Sequence, residues 1–335
     1  MKFATNYLRG DSKKVTYFDD GKPKTGRTDD LLNCFRPGDL IVVNDSATVP
    51  MSVMATDFSG RQLELRLLKA GSDSTTFRAI AYEGESWRVP TEKRKIVHPE
   101  SCGTSLFVGT NEFKIERFDG VVFQLIAADK KKSVLKTLYQ TGRMIQYSYM
   151  ERETPVWAAQ TIFSSRPWSS ESPSASFVFN WNLIFALVSK GVRFARVTHG
   201  AGFSSIGDFK LDSVLPLPEI SFVPQETLRL ISETRERGSR VIAIGTSVVR
   251  AVEAAALFRL TPNHPFENSL HISPEHPIGL FDGIVTGLHQ KGESHFELLT
   301  AFVSAREIEE LMQKADNSGC LTHEFGDFMF LEKGG

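Results

Sequence analysis

What most constrains this chain is a change in the period of its apolar residues. Between residues 53 and 128 they recur at every second position in short runs. Gln62-Leu63-Glu64-Leu65-Arg66-Leu67 alternates cleanly, Phe113-Lys114-Ile115-Glu116-Arg117-Phe118 nearly so, and 76–82, 95–97, 105–108 and 121–126 look similar. Gly, Pro, Asp and Asn separate the runs. Successive side chains of a strand point to opposite faces, so many short alternating runs predict a small β-barrel or sandwich.

Outside that block the pattern differs. Asp39-Leu40-Ile41-Val42-Val43, after the turn Arg36-Pro37-Gly38, reads as a buried strand. Earlier residues, up to about Leu31, are polar and turn-rich, notably Asp19-Asp20-Gly21-Lys22-Pro23. Beyond Ala128 the period becomes helical. Helices are predicted over 132–140, 180–190, 225–237 and 248–258, with one or two more over 294–314. Gly142, Gly191 and Gly238 stand just past three of these ends. Strands are predicted over 192–198, 241–245, 283–288 and 327–331. This order predicts an α/β fold with a largely parallel or mixed sheet. Residues 1–52 and 129–335 would make the main domain, and 53–128 an inserted β-barrel domain.

A chain of 335 residues, 41% apolar and 24% charged, has room for two such cores. The formal net charge of -1 selects no partner, so a nucleic acid would need a local basic face. Lys93-Arg94-Lys95 and Lys130-Lys131-Lys132 are basic runs, read by default as solvated faces. Cys34, Cys102 and Cys320 lack metal or redox spacing, and a reducing cytoplasm is the expected compartment. Met1-Lys2-Phe3-Ala4-Thr5 lacks the apolar stretch of a signal peptide, and no run of about 18 apolar residues predicts a membrane span. His264, His271 and His276 fall in a Pro-rich loop without ligand spacing, so no metal is expected.

Three predicted strand ends carry polar groups. Val241–Ile244 runs into Gly245-Thr246-Ser247, where Gly allows a tight turn and Thr or Ser caps a helix whose free N–H groups favour an anion. Arg250 and Glu253 follow on one helix face, and the plain alternative is a surface ion pair. Val197-Thr198-His199-Gly200-Ala201-Gly202 places a His at a second end, and Val285-Thr286-Gly287-Leu288-His289 at a third. A loop His alone is more often structural, but ligands of open α/β sheets bind at the carboxyl ends of strands, which makes a shared crevice the expectation. Trp157, Trp168 and Trp181 surround a Ser-rich loop and have the faces to stack on a base, with core packing expected for Trp181.

These pieces, in this order, resemble the S-adenosylmethionine:tRNA ribosyltransferase-isomerase family of queuosine biosynthesis. Pro37-Gly38-Asp39-Leu40-Ile41-Val42-Val43-Asn44 with Val49-Pro50 is similar to its first strand and Asn-rich segment. Gln160-Thr161-Ile162-Phe163-Ser164, Gly200-Ala201-Gly202, Gly245-Thr246 with Val249-Arg250 and Glu253, Val285-Thr286 with His289, Ala301-Phe302, and Phe325-Gly326-Asp327-Phe328-Met329-Phe330 continue the match. The resemblance implies an α/β domain with an inserted β-barrel. It also implies transfer of the ribosyl part of S-adenosylmethionine to 7-aminomethyl-7-deazaguanine in tRNA, with adenine and methionine leaving and epoxyqueuosine formed. S-adenosylmethionine is then co-substrate, tRNA a partner, and no metal or further cofactor is implied. Carried over residue by residue, the catalytic candidates are His199, His289 and Arg250. The substrate-binding candidates are Asn44, Tyr149, Arg152, Gly200, Gly202, Gly245, Thr246, Glu253 and Thr286.

The chain departs from the family's pattern at several points. Ala47 and Ser52 stand where the family carries Arg, and Val178 where its Pro loop carries His. The family's His before Gly-Ala-Gly falls at Thr198, with His199 adjacent. Two alternatives therefore accompany the family reaction: an enzyme acting on a different, small acceptor, and a non-catalytic binding protein.

Overall fold

The computed structural model describes the chain except for residues 8–12, 69–75, 85, 86, 130–132, 214, 216 and 335. Strands β1 (Lys14–Asp19), β2 (Lys22–Arg27) and β3 (Leu40–Asn44) come first. A second sheet follows in β4 (Ser52–Asp57), β5 (Gln62–Leu67), β6 (Thr76–Glu83), β7 (Ile96–Val97), β8 (Ser105–Val108), β9 (Asn111–Asp119) and β10 (Val122–Ala127). Then come α1 (Val134–Thr141), α2 (Trp181–Ser189), β11 (Arg193–Gly200), β12 (Glu219–Phe222), α3 (Gln225–Glu236), β13 (Val241–Ile244), α4 (Thr246–Leu257), β14 (Phe266–Asn268), β15 (Gly283–Gly287), α5 (Ser294–Leu299), α6 (Ala305–Asn317) and β16 (Phe328–Glu332).

Among the described residues the main sheet has nine strands in the order β14-β12-β11-β3-β13-β15-β16-β1-β2. Its centre, β11-β3-β13-β15, is parallel, so these four strands deliver their carboxyl ends to one edge. The flanking strands β12 and β16 run antiparallel to it. Period-two alternation feeds two cores. Leu40, Val42, Val241 and Ala243 face one that holds Ile231 of α3, Val248 and Val252 of α4 and Leu311 of α6. Ile41, Val43, Ile242 and Ile244 face another with Leu183 and Leu187 of α2 and Phe177. Burial on both faces is why these strands read as continuous apolar runs.

The hairpin β1–β2 corrects the reading of residues before Leu31 as merely polar and turn-rich. Asp20 and Gly21 both have positive φ, 48° and 71°, the two-residue turn whose twist suits a hairpin. Val15, Thr16 and Tyr17 are buried, and β1 pairs in parallel with β16. Short polar strands at a sheet edge carry little apolar signal.

The second sheet runs β10-β9-β8-β4-β5-β6-β7 and closes by pairing β6 with β10, giving a six-stranded barrel with β7 appended. Leu63, Leu65 and Leu67 fill it. Glu64 and Arg66, at alternate positions of β5, are buried too, and Arg66 Nη2 donates to Gln146 O (3.4 Å). Glu64 accepts from Ser52 Oγ (2.8 Å) and pairs with Arg66 Nε (2.8 Å) and Arg94 Nη1 (2.6 Å). The Tyr82 ring lies 5.1 Å from one guanidinium and 4.6 Å from the other. Arg94 is therefore no part of a solvated basic face, whereas Lys130, Lys131 and Lys132 lie outside the described residues. Trp181 also departs from expectation: in the first turn of α2 it is 59% exposed and stacks on Phe185 rather than in the core. No helix among the described residues is long and apolar enough to cross a membrane.

Candidate active site at the strand ends

Asn44 closes β3 and ties two neighbouring elements together. Its Oδ1 accepts from His199 N (3.0 Å) and Ser46 N (3.0 Å). Its Nδ2 donates to His199 O (2.8 Å) and Ser247 Oγ (3.3 Å). A carboxamide matches a peptide group donor for acceptor, which suits Asn to this join.

The register His199↔Ser221 between β11 and β12 brings a buried network together. His199 is 0% exposed. Its Nδ1 meets Ser221 Oγ at 2.7 Å and its Nε2 meets Glu219 Oε2 at 2.8 Å. Glu219 Oε1 accepts from Gly202 N (2.5 Å), and Arg250 Nη1 also donates to Glu219. Asn268 Nδ2 donates to Ser221 Oγ (3.2 Å) and Arg250 O (3.1 Å). Burial works against an ionised Glu219, but His199, Arg250 and the Gly202 N–H outweigh it and hold the carboxyl at about 2. Both ring nitrogens of His199 are engaged within the protein. The ring reaches a ligand only by giving up Ser221 or Glu219.

Arg250 and Glu253 share a helix face in sequence but do not pair. Arg250 turns to Glu219 and donates from Nε to Leu270 O (2.9 Å), and its Nη2 is buried without a partner. Glu253 is buried under the turn at Gly279 and Leu280, whose N–H groups it accepts at 3.1 and 3.0 Å. Burial raises its pKa. The surface ion pair is therefore absent because both groups are buried on different partners.

Gly245 precedes α4 with φ 90° and ψ 155°, backbone that essentially only Gly adopts. Gly245→Ala is expected to cost about 1–3 kcal/mol in denaturant unfolding, and an unchanged midpoint would refute the strain. Neither Thr246 nor Ser247 caps α4, and Thr246 is part-exposed at its first turn. Gly200 is buried where a Cβ would meet Trp168 O at 2.6 Å.

Beyond β15 a second polar group lines the same edge. Thr286 Oγ1 lies 3.1 Å from His289 Nε2, and Glu293 Oε2 lies 3.4 Å from His289 Nδ1. The ring of His295 stacks on His289 with centroids 4.7 Å apart. Burial, with His289 beside it, pushes His295 down to about 3, and the charges of Arg250 and Glu219 also reach it. His323 in turn feels Glu293 and His289. It stacks on Tyr149 at 4.8 Å, and Tyr149 stacks on Tyr147 at 6.1 Å. The Tyr147 hydroxyl donates to Glu171, which also accepts from Ser204 N (3.0 Å).

Glu324 completes this wall. Burial, helped by Glu171, raises its carboxyl from 4.5 to about 8. A raised folded pKa means the favourable, protonated state is complete below 4.5 and lost as pH climbs through 8. Glu324→Gln should leave stability unchanged near pH 4.5 and raise it at pH 8.5 by on the order of 2 kcal/mol after solvent screening. Equal midpoints for both proteins at pH 8.5 would refute the shift.

The structure thus gathers Asn44, His199, Gly200, Gly202, Gly245, Thr246, Arg250, Thr286, His289 and Tyr149 along one edge. Glu253 lies beneath a neighbouring turn. Arg152 is exposed, and its carbonyl accepts from Gln146 Nε2. Glu219, Ser221, Glu293, His295, Glu171 and Glu324 were not singled out from sequence. The one local signal was Glu219-Ile220-Ser221, two polar residues on one face of a short strand. Among the described residues no three His, Cys, Asp or Glu side chains group as a metal site.

A family model described as Queuosine biosynthesis protein matches residues 8–331. A curated S-adenosylmethionine:tRNA ribosyltransferase-isomerase from Thermotoga maritima is 27% identical over 305 residues, 90% of this chain and 87% of that protein. Proteins of the same name from Thermotoga petrophila and Thermotoga sp. strain RQ2 are 26% identical over the same shares. A crystal structure of S-adenosylmethionine tRNA ribosyltransferase from Thermotoga maritima aligns with a TM-score of 0.49 and 23% identity, covering 98% of this chain and 94% of that one.

Proposed function

The chain belongs to the queuosine biosynthesis protein family, and from that premise we propose that it is an S-adenosylmethionine:tRNA ribosyltransferase-isomerase. In this reading it transfers the ribosyl moiety of S-adenosylmethionine to 7-aminomethyl-7-deazaguanine in tRNA, releases adenine and methionine, and forms epoxyqueuosine. The observation that carries it is the family match over residues 8–331, which contain every strand-end residue described above. Residues 53–128 are taken as a domain inserted into the main α/β domain.

We assign the roles from the contacts described above. Proton handling is assigned to His289 on access: its side chain is 20% exposed where His199 is sealed, Glu293 orients Nδ1, and Nε2 shares a hydrogen bond with the Thr286 hydroxyl, which can donate or accept. Asn44, His199 and Glu219 are positioning residues that hold the Gly200–Gly202 loop and Arg250. Tyr149 and Thr246 are assigned to the substrate space, and Gly245 to the turn with φ 90° that starts α4. Arg152, exposed, is assigned to the RNA side, and Glu253 to the support of α4.

The test is to incubate the protein with S-adenosylmethionine, with and without tRNA carrying the 7-aminomethyl-7-deazaguanine base, and to measure adenine and methionine. Release only with that tRNA is expected. Release without tRNA would instead support a second reading, a different and smaller acceptor. That reading is favoured by one observation: the buried, apolar Val178 where the family's Pro loop carries His. No release under either condition would overturn both.

A further inference from the structure

We propose that His295 is a positioning residue for His289: its ring, stacked on the His289 imidazole, fixes the plane in which that imidazole meets the substrate. The assignment rests on the proton-handling role proposed for His289. Two contacts of the His289 ring are at its edge. Thr286 Oγ1 lies 3.1 Å from Nε2, and Glu293 Oε2 lies 3.4 Å from Nδ1. Contacts at two edge atoms leave a ring free to tilt about the line that joins them. A contact on the face of the ring removes that freedom.

His295 supplies that contact. The two ring planes are within 12° of parallel, with centroids 4.7 Å apart, the spacing of an offset stack. Core packing, rather than the site itself, holds His295 in place. It belongs to α5, whose Phe296, Leu298 and Leu299 are buried. The Nε2 edge of His289 is left uncrowded, because Gly287 carries no Cβ where one would stand 3.8 Å from Nε2. The stack therefore restrains His289 on a face while the nitrogen beside Thr286 keeps its space.

An uncharged partner suits this task. Burial, and then the neighbouring His289, push His295 down to about 3; Arg250 acts in the same direction, and Glu293 and Glu219 oppose it. Two imidazoles in contact compete for one proton. With His295 neutral, the proton is left to His289, beside the Glu293 carboxylate, and the π face of His295 meets an imidazolium favourably. Direct contact of the His295 nitrogens with substrate is the competing role, and a ring without nitrogens separates the two.

The test compares His295→Phe, His295→Leu and His295→Ala of the full chain in steady-state adenine release, with S-adenosylmethionine and tRNA carrying the 7-aminomethyl-7-deazaguanine base. Phe keeps the stacked face without the nitrogens and should keep most of the wild-type kcat. Leu and Ala should lower kcat by about 10–100-fold, the scale of a misplaced catalytic group, with KM unchanged. Histidine Cε1–Hε1 NMR spectra give a readout independent of turnover. The His289 signal should lie upfield in the wild type and in His295→Phe, and move downfield in the Leu and Ala variants as the aromatic neighbour is lost. Full kcat in Leu and Ala overturns the proposal and leaves the proposed function standing. So does a His289 signal that stays in place in those variants, or a Phe variant as slow as Ala, which would mark the His295 nitrogens as substrate contacts. If His295→Ala fails to fold, Leu against Phe decides. A wild type that releases no adenine overturns the proposed function itself, and with it this role of the stack.

Discussion

Replacing Glu219 with Gln is expected to destabilise the protein by about 3–5 kcal/mol at pH 7, the range for breaking one side of a buried ion pair. Glu219 is the point where three elements meet: it accepts from His199 on β11, from Arg250 on α4 and from the Gly202 N–H. An amide retains an acceptor oxygen but not the charge, so Arg250 is left buried and uncompensated. The same carboxylate sets a pH dependence. It sits at about 2 in the fold against an ordinary 4.5. A depressed carboxyl stabilises fully above the unfolded value, and that stability drains away as pH falls from 4.5 toward 2. Denaturant midpoints at pH 7, 4 and 3 should therefore fall more steeply for the wild type than for Glu219→Gln. Parallel curves would mean that Glu219 is not held ionised by this network.

His289→Ala should lower the rate of adenine release by about 10²–10⁴, the usual contribution of a positioned acid or base, with S-adenosylmethionine binding retained. His289 differs from His199 in access. The His199 ring is sealed between Ser221 and Glu219, whereas His289 stands part-exposed at the end of β15, oriented by Glu293. Single-turnover release and equilibrium binding separate the two quantities. A variant that keeps the full rate would remove His289 from the proton-handling role. One that loses binding in step with rate would make it a binding group instead.

Much of the architecture was legible in local pattern. The alternation of Leu63, Leu65 and Leu67 marked barrel strands, and the apolar runs at 40–44 and 241–244 marked strands buried on both faces. Gly191 ended α2 where expected because positive φ suits Gly. The edge hairpin was not legible, since its buried residues rest on pairing with a strand some three hundred positions later. The buried charges of the barrel were hidden for a related reason. Glu64 and Arg66 alternate with leucines as solvated residues would, and what covers them comes from elsewhere in the chain: Arg94, Tyr82 and the segment around Gln146.

The candidate residues divide along the same line. Local sequence determined that polar groups and glycines stand at the ends of apolar strands: Asn44, His199, Gly245 and Thr246, Thr286 and His289. Strand ends are set by the residues next to them, so a linear reading finds them. What each group does was decided by the tertiary structure alone. Register placed Ser221 opposite His199 and Glu219 within its reach. Burial turned Arg250 away from Glu253, its neighbour in sequence, toward Glu219, thirty-one positions away. A buried charge must find an opposite partner wherever the fold provides one, and spacing along the chain carries no record of that choice.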